Sequence, residues 1–566
     1  MTAKMTFRPA SCREVEEEAR RALREGRIVE RMRQRDHTLW KPDPREISDR
    51  LGWLQSPMTM ADRLPEIGAF VEDVRAEGFR FVLLLGMGGS SLAPEVFRRI
   101  FGSAPGFLDL AVLDSTDPGA VLGFAERLDL NRTLFIVSTK SGGTVETFSF
   151  LRYFYNLAAD RLGAGEAGRH FAAITDPGSA LAELAAARRF RHSFLNDPEI
   201  GGRYSALSFF GLVPAALIGM DTRRLLERAV AAALQEFSEE KRPEAASGAA
   251  LGALLGGLAG QGRDKLTFVF PPSIAPFGDW LEQLIAESTG KEGQGILPVV
   301  GEELGGPEAY GPDRCFVCLH VGDDETGGEK LRALAAAGHP VVDLRISDSY
   351  GLGGQCFLWE VATAVAGARL GINPFDQPDV ESAKILARRM IATYRERGEL
   401  PLEAPALRTP DITVYGSAPA AEAGGCLAAF LEGAAAGAYA AIQAFVMPAP
   451  QTGEALERLR RAIRTRFRLA ATVGYGPRFL HSTGQLHKGD AGKGLFIQLT
   501  ADDARDVPIP DALGEAASSL SFGVLKAAQA FGDRQALADA GRRVIRFHLH
   551  GDPVGGIRRL AGALGG

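Results

Sequence analysis

An alternation of short apolar runs with amphipathic stretches occurs twice along the chain, and this pattern constrains the fold most. The apolar runs of the first series cover residues 79–85, 108–113, 133–137 and 170–174. Those of the second series cover residues 266–270, 315–321, 341–346 and 412–415. Apolar runs alternating with helical periodicity are typical of parallel strands joined by helices. Each series therefore predicts an α/β unit with a parallel sheet between two helical layers.

The remaining segments flank these two units. The charge-rich start of the chain contains a helical pattern over residues 12–35, and Trp40-Lys41-Pro42-Asp43-Pro44 then ends any helix. The expected organisation is a helical leader over 1–60, a first unit over 61–240, a second unit over 241–445 and a C-terminal region over 446–566 that packs on both units.

Charge and cysteine content exclude several classes of function. The chain has 64 Lys and Arg against 70 Asp and Glu, a net charge of -6, so it offers no overall attraction for nucleic acid or an anionic membrane. The five cysteines are scattered and do not suggest a disulfide framework. No secretory signal or membrane-spanning run is evident. We expect a soluble, cytoplasmic protein.

A glycine-rich turn, Gly86-Met87-Gly88-Gly89-Ser90-Ser91, follows the first apolar run and precedes a helical pattern. Glycines at such a turn let backbone N–H groups approach a ligand, and the next helix N-terminus favours an anion. The dinucleotide fingerprint is matched only partly, because its third glycine would fall at Ser91. An anion site, a dinucleotide site and a purely structural turn all stay open at this point.

A second turn, residues 138–144, reads Ser-Thr-Lys-Ser-Gly-Gly-Thr and also lies between a predicted strand and a predicted helix. Hydroxyl donors, free amides and one cation suit a phosphate monoester. Helix capping alone would explain one or two of these residues, but not all of them. The spacing differs from that of a Walker loop, so the turn predicts a phosphate site without ATP hydrolysis.

Two further motifs are ambiguous when taken alone. Gly201-Gly202-Arg203-Tyr204-Ser205 either aims Arg203 at a bound anion or forms a surface turn. Glu287-Ser288-Thr289-Gly290-Lys291 ends a helical run, so Glu287 is either a general base or half of a surface ion pair with Lys291.

Two later segments also carry candidate groups. Residues 373–384 combine a Pro-fixed turn with Gln377 and Lys384, which are either presented to a shared cleft or simply exposed. Residues 481–489 place His481 and His487 among small polar residues. No third metal ligand has suitable spacing, so we predict no metal site.

In this order, the motifs resemble those of the glucose-6-phosphate isomerases, a family built from two sugar-isomerase (SIS) domains. The resemblance covers roughly residues 30–500 and is greatest to the isomerase half of bacterial fusions with transaldolase. It implies two tandem SIS domains, each a parallel-sheet αβα sandwich, together with the leader and a C-terminal extension. It also implies an aldose-ketose isomerase that acts on a sugar phosphate and needs no cofactor.

The resemblance also implies a role for individual residues. Glu287 would move the proton between C1 and C2, Arg203 would stabilise the enediolate, and Lys384 would assist ring opening. The residues implied in binding the sugar phosphate are Gly89, Ser90, Thr139, Lys140, Ser141, Thr144, Gly202 and Gln377.

One departure from the family pattern concerns the ring-opening histidine. The family carries it in a TNGQH motif downstream of the glutamate, but residues 309–314 here read Ala-Tyr-Gly-Pro-Asp-Arg. Our hypothesis is that His481 replaces it, with His487 as second choice. Because the family's histidine often comes from a neighbouring subunit, the resemblance also implies a homodimer. Two alternatives remain: an isomerase that also uses mannose 6-phosphate, and a non-catalytic sugar-phosphate sensor.

Overall fold

The computed structural model describes residues 4–8, 12–238, 247–401, 403–417 and 419–565. Its strands form three large sheets, each the centre of an α/β unit, and one small hairpin sheet. None of the helices within these ranges is long and apolar enough to cross a membrane.

The first unit has a sheet of five parallel strands in the order β3-β2-β4-β5-β6. Its strands are β2 (Phe81–Gly86), β3 (Asp109–Leu113), β4 (Thr133–Ser138), β5 (Phe171–Thr175) and β6 (His192–Leu195). Its helices are α4 (Leu64–Ala76), α5 (Leu92–Phe101), α6 (Pro118–Ala125), α7 (Val145–Leu162), α8 (Ala180–Ala187) and α9 (Phe209–Leu217). Successive residues of β2 enter two different cores: Val82 and Leu84 face one, and Leu83 and Leu85 face the other. Both faces of the sheet are therefore covered, as predicted.

The second unit has a sheet in the order β1-β10-β9-β7-β8. Its strands are β1 (Lys4–Arg8), β7 (Lys265–Val269), β8 (Leu297–Val299), β9 (Arg314–Val321) and β10 (Val341–Ile346). Its helices are α10 (Thr222–Glu236), α11 (Ser247–Gly260), α12 (Phe277–Thr289), α13 (Gly328–Ala336) and α14 (Leu352–Leu370). The strands are parallel except β1, which adds antiparallel to the edge of β10. The expected boundary at residues 240/241 lies outside the described residues.

The leader packs on these units. It contains α1 (Arg13–Glu25), α2 (Ile28–Arg33) and α3 (Ser56–Ala61), which confirms its helical pattern, but its first residues form strand β1. The indole of Trp40 donates a hydrogen bond of 2.8 Å to the carbonyl oxygen of Ala364 in α14. Its ring also contacts Phe375 edge to face. The leader is thus fixed against the second unit.

The C-terminal region is a third α/β unit rather than a simple extension. Its sheet runs β11-β12-β18-β15-β13-β14, and the last four are parallel. The strands are β11 (Leu407–Arg408), β12 (Ile412–Tyr415), β13 (Tyr439–Phe445), β14 (Ala470–Tyr475), β15 (Gly494–Ala501) and β18 (Arg543–Leu549), and the hairpin is β16 (Pro508–Ile509) with β17 (Leu520–Ser521). The helices are α16 (Ala423–Glu432), α17 (Pro450–Phe467), α18 (Gly484–Gly489), α19 (Phe522–Asp539) and α20 (Pro553–Ala563).

This sheet corrects one expectation. Residues 412–415 were expected as a strand of the second unit, and they do form a strand, but it pairs antiparallel with β18 of the third sheet. The third unit therefore begins before residue 446. Between the second and third units, α15 (Val380–Arg397) packs against α19, so the third unit contacts the candidate site directly.

Candidate active site

The turn rich in Ser and Thr connects β4 to α7, as the sequence predicts. Gly142 has φ +63°, a conformation that favours glycine, and the hydroxyl oxygens of Thr139 and Thr144 lie 2.9 Å apart. α7 is 18 residues long and begins at Val145. Its N-terminal backbone dipoles favour an anion, so the turn has the chemistry of a phosphate site.

Lys140, the expected cation of this turn, is already paired. Its ammonium group forms an ion pair with Asp176 and donates a hydrogen bond of 2.8 Å to the carbonyl oxygen of Pro198. To contact a phosphate, Lys140 would have to break its ion pair with Asp176 and pair with the phosphate instead.

The glycine-rich turn after β2 lies against the turn that carries Arg203. A Cβ at Gly89 would lie 2.0 Å from the carbonyl oxygen of Gly202, so only glycine fits there, whereas the space around Gly202 itself is open. Ser138 donates a hydrogen bond of 2.8 Å to the carbonyl oxygen of Ser90. These contacts join the glycine-rich turn to the turn rich in Ser and Thr and to the turn of Arg203.

Arg203 and Glu287 form an ion pair in the interior. Nη1 of Arg203 lies 3.2 Å from Oε1 of Glu287, and the two side chains are 3% and 12% exposed. Glu287 lies in the last turn of α12, and Nε of Arg203 donates to Oγ of Ser288 in the same turn at 2.8 Å. Glu287 therefore pairs with Arg203 in the interior and does not form a surface ion pair with Lys291, which pairs with Asp376.

The segment before α15 completes the surroundings of Arg203. Gln377 accepts a hydrogen bond of 3.0 Å from Nη1, and the carbonyl oxygens of Pro374 and Asp376 accept from Nη2. Lys291 donates to the carboxylate of Asp376 at 2.7 Å. Burial and the nearby Arg203 lower the pKa of Lys291 to about 8, although Asp376 acts in the opposite direction.

Gln283 links Glu287 to His481. It lies one helical turn before Glu287, and its Nε2 donates to Oε2 of Glu287 at 3.0 Å and to the carbonyl oxygen of His481 at 2.8 Å. A Cβ at Gly88 would lie 3.0 Å from Cβ of His481, so the glycine-rich turn packs on the same segment.

A cavity of about 450 Å³ contains the next set of candidate groups. Its lining includes Ser141, Thr144, Lys384 and His481, together with the buried carboxylate of Glu146. Nε2 of His481 lies 2.9 Å from Oε1 of Glu146. Burial by itself would raise the pKa of Glu146, but His481 and then Lys384 outweigh it, so this pKa lies below its usual range.

Lys384 is the exposed member of this group. It projects from α15, its side chain is 45% exposed, and its ammonium group lies 3.5 Å from Glu381 on the same helix. His487, the second choice for ring opening, does not line this cavity. It is buried beside Phe479 and Phe496, and burial holds its pKa well below the usual range. His487 thus belongs to the core of the third unit.

The third unit also fixes the helices of the site. The side-chain oxygen of Gln485 in α18 accepts hydrogen bonds from the backbone N–H groups of Asp379 and Val380, where α15 begins. Its amide nitrogen donates to the carbonyl oxygen of Gly290, which follows α12. One buried side chain thus ties the helix of Lys384 to the helix of Glu287.

Sequence reasoning missed Glu146, Gln283 and Gln529. Gln283 had a weak signal, since residues four apart on a helix share a face, and Glu146 follows Thr144 by two residues. Gln529 had no local signal, because its contact with Glu146 joins the third unit to the first.

Comparison with known proteins supports the resemblance. The phosphoglucose isomerase family matches residues 58–295. A glucose-6-phosphate isomerase of Rubrobacter xylanophilus is 31% identical, and the match covers 60% of this chain and 88% of that protein. The chain belongs to the phosphoglucose isomerase family. Another relative, a glucose-6-phosphate isomerase of Campylobacter jejuni, is 26% identical over 61% of this chain and 93% of its own length.

Solved structures of other proteins have the same fold as this member of the phosphoglucose isomerase family. A Thermus thermophilus protein described as hypothetical superposes with a TM-score of 0.59 at 25% identity, over 69% of this chain and all of that one. A glucose-6-phosphate isomerase of Chlamydia trachomatis gives a TM-score of 0.57 at 19% identity, over 69% of this chain and 89% of that one. The family match includes Arg203 and Glu287, whereas Lys384 and His481 lie after it.

Proposed function

We propose that this chain interconverts glucose 6-phosphate and fructose 6-phosphate by proton transfer through an enediolate. The observation that carries the proposal is the buried ion pair of Glu287 with Arg203, set beside a turn suited to phosphate, in a member of the phosphoglucose isomerase family. Relatives that the chain covers for most of their length are named glucose-6-phosphate isomerase.

The phosphate end of the sugar would bind at the turn before α7. Ser141 and Thr144 line the cavity, and the helix N-terminus behind them attracts the anion. We also assign Gly89, Ser90, Thr139, Lys140 and Gly202 to this end, as supporting groups of the turns that meet there. Binding energy from the phosphate would position the reacting carbons.

Glu287 would act as the base that removes a proton from one carbon and returns it to the next. A carboxylate suits this task when it lies near the substrate and is shielded from bulk water. Negative charge then develops on the sugar oxygens. Arg203, whose guanidinium lies beside Glu287, would stabilise this charge, and Gln377 would keep the guanidinium in place.

Ring opening must precede this step, because the pyranose and furanose forms contain a hemiacetal or hemiketal carbon in place of the free carbonyl group. Lys384 and His481 line the same cavity and can exchange a proton with the ring oxygen or the anomeric hydroxyl. Oε1 of an ionised Glu146 can only accept a hydrogen bond, so Nε2 of His481 carries the hydrogen between them and leaves Nδ1 for the sugar. Moving a proton between neighbouring carbons needs no electron acceptor, so the proposal includes no cofactor.

Glu287→Gln tests the proposal and separates the enzyme from a sugar-phosphate sensor. We expect kcat to fall at least about 1,000-fold, because the amide cannot take up a proton. Calorimetric binding of fructose 6-phosphate should change little. Glu282→Gln is the matched control on the same helix, since burial and the neighbouring Asp279 raise the pKa of Glu282 to about 8 and it is largely protonated at neutral pH. Full activity of Glu287→Gln would contradict the proposal.

A homodimer and a cytoplasmic location are part of the proposal. His481 lies 2.9 Å from Glu146 of the same chain, so no residue of a second subunit is needed for this contact. We therefore expect activity per chain to stay constant when a dimer is diluted until it dissociates, as followed by mass photometry with a coupled assay. A fall in activity that tracks dissociation would show that a subunit contact completes the site.

A further inference from the structure

Two helices of different units meet beside the cavity. Gly532 of α19 lies so close to α15 that a Cβ there would be 2.8 Å from the backbone nitrogen of Ala387 and 3.2 Å from the carbonyl oxygen of Ala383. This close packing brings α19 beside the helix of Lys384. Gln529, one turn earlier on α19, thereby reaches the cavity lining.

Gln529 contacts the carboxylate that holds His481. Its Nε2 donates a hydrogen bond of 2.7 Å to Oε1 of Glu146, the same oxygen that lies 2.9 Å from Nε2 of His481. Glu146 and Gln529 are both buried. A buried carboxylate that accepts two hydrogen bonds on one oxygen is fixed in direction, and so is each donor.

Thr116 holds the Gln529 amide at the end that faces away from Glu146. Its hydroxyl donates a hydrogen bond of 2.9 Å to Oε1 of Gln529. The carboxylate of Glu146 can only accept, so it sets which end of the amide faces it, and the Thr116 hydroxyl supplies the donor that the amide oxygen then needs. Thr116 is completely buried and comes just after β3, so its position is set by the core of the first unit.

We propose that Gln529, held by Thr116, is a positioning residue that orients Glu146 and through it the imidazole of His481 for ring opening. The inference rests on the proposed function. It assigns a task to the third unit, which supplies both Gln529 and His481, while Glu146 and Thr116 belong to the first unit. The imidazole would then present Nδ1, which makes no hydrogen bond within the described part of the chain, to the sugar.

Thr116→Val and Thr116→Ser form the matched pair of variants. The valine removes the hydroxyl at nearly constant volume, and the serine restores it without the methyl group. We expect Thr116→Val to lower kcat about tenfold or more with little change in KM for fructose 6-phosphate, and Thr116→Ser to recover most of kcat. Gln529→Leu should lower kcat at least as much as Thr116→Val.

A readout that does not depend on activity is the hydrogen bond from Nε2 of His481 to Glu146. In NMR spectra of the full chain, with the signal assigned by its loss in His481→Asn, the Nε2–H proton should be shifted downfield and should exchange slowly with water in the wild type and in Thr116→Ser. In Thr116→Val and Gln529→Leu this proton should move upfield and exchange faster, because a Glu146 carboxylate that is no longer held by Gln529 binds it less firmly. Melting temperatures show whether each variant is folded.

The outcomes separate this inference from the proposed function. A wild-type protein that does not isomerise fructose 6-phosphate refutes the proposed function. An active wild type, with folded Thr116→Val and Gln529→Leu variants that keep kcat and an unchanged Nε2–H signal of His481, refutes the positioning role alone. Equal losses in Thr116→Val and Thr116→Ser would also refute it, because the hydroxyl would then not be the cause.

Discussion

The carboxylate of Glu287 lies 3.2 Å from the guanidinium of Arg203, and the first belongs to the second unit while the second follows the sheet of the first unit. The pair therefore forms only when the two units pack together. Arg203 follows Gly202, whose carbonyl oxygen packs against Gly89, so the proposed base and the proposed charge-stabilising group lie next to the glycine-rich turn.

Arg203→Lys should impair both catalysis and stability. Lysine has one donor centre, so it cannot serve Glu287, Gln377 and the two backbone carbonyl groups together. We expect kcat to fall about 100-fold to 1,000-fold, in the range seen when a charge-stabilising donor is removed. Steady-state kinetics and thermal melts measure both effects. Arg169→Lys, at an exposed arginine, is the control, and equal kinetics in the two variants would contradict the role of Arg203.

Gly89→Ala should destabilise the protein strongly. The added methyl group would lie 2.0 Å from the carbonyl oxygen of Gly202, a distance that backbone atoms cannot tolerate. We expect a loss of about 2 kcal/mol or more in the free energy of unfolding, measured by urea denaturation. Gly68→Ala in α4 adds the same methyl group with nothing within 4 Å, and it should be neutral or slightly stabilising. Similar effects of both changes would refute the close contact.

Lys384→Met tests the ring-opening side of the cavity. The side chain is 45% exposed and its ion pair with Glu381 is at the surface, so the free energy of unfolding should change by less than about 0.5 kcal/mol. We expect kcat to fall about tenfold or more, because a proton donor beside the cavity is lost. Arg389→Met, at an exposed position of the same helix, should keep full activity. A Lys384→Met enzyme as fast as the wild type would exclude this role.

The depressed pKa of Lys291 predicts a pH dependence of stability. Its folded-state pKa is about 8 against an ordinary value of 10.5. Between these two pH values the unfolded chain holds more protons than the folded one, so stability increases as pH rises. Relative to Lys291→Met, the wild type should gain on the order of 2 kcal/mol across this window. Urea denaturation of both proteins from pH 7 to pH 10 measures this gain. A stability difference between wild type and Lys291→Met that does not change with pH would contradict the prediction.

Much of the fold follows from local patterns, but sheet membership does not. The run 412–415 has the pattern of a strand, yet its partner β18 lies far along the chain, and no local pattern states which sheet a strand joins. Strand β13 escaped prediction because it is rich in alanine, and β8 because it has three residues with a central proline.

The residues of the candidate site also differ in how well the sequence predicts them. Residues in contiguous motifs, such as Arg203 and Glu287, could be proposed from turn chemistry and the family resemblance. Contacts between distant segments could not: nothing local indicates that Lys140 pairs with Asp176 within the first unit, or that Gln529 of the third unit reaches Glu146 of the first. Such contacts depend on which strands are neighbours and on how the units pack, and periodicity within a segment carries no information about either.

Proton transfer by Glu287 is the central claim, and a proton NMR time course in D₂O tests it most directly. Purified protein is mixed with fructose 6-phosphate in the presence of EDTA, and the glucose 6-phosphate formed is examined at C2. We expect product deuterated at C2, because the proton carried by Glu287 exchanges with solvent, and no product with Glu287→Gln. Undiminished turnover by Glu287→Gln, or product from the wild type that never contains deuterium, would contradict it.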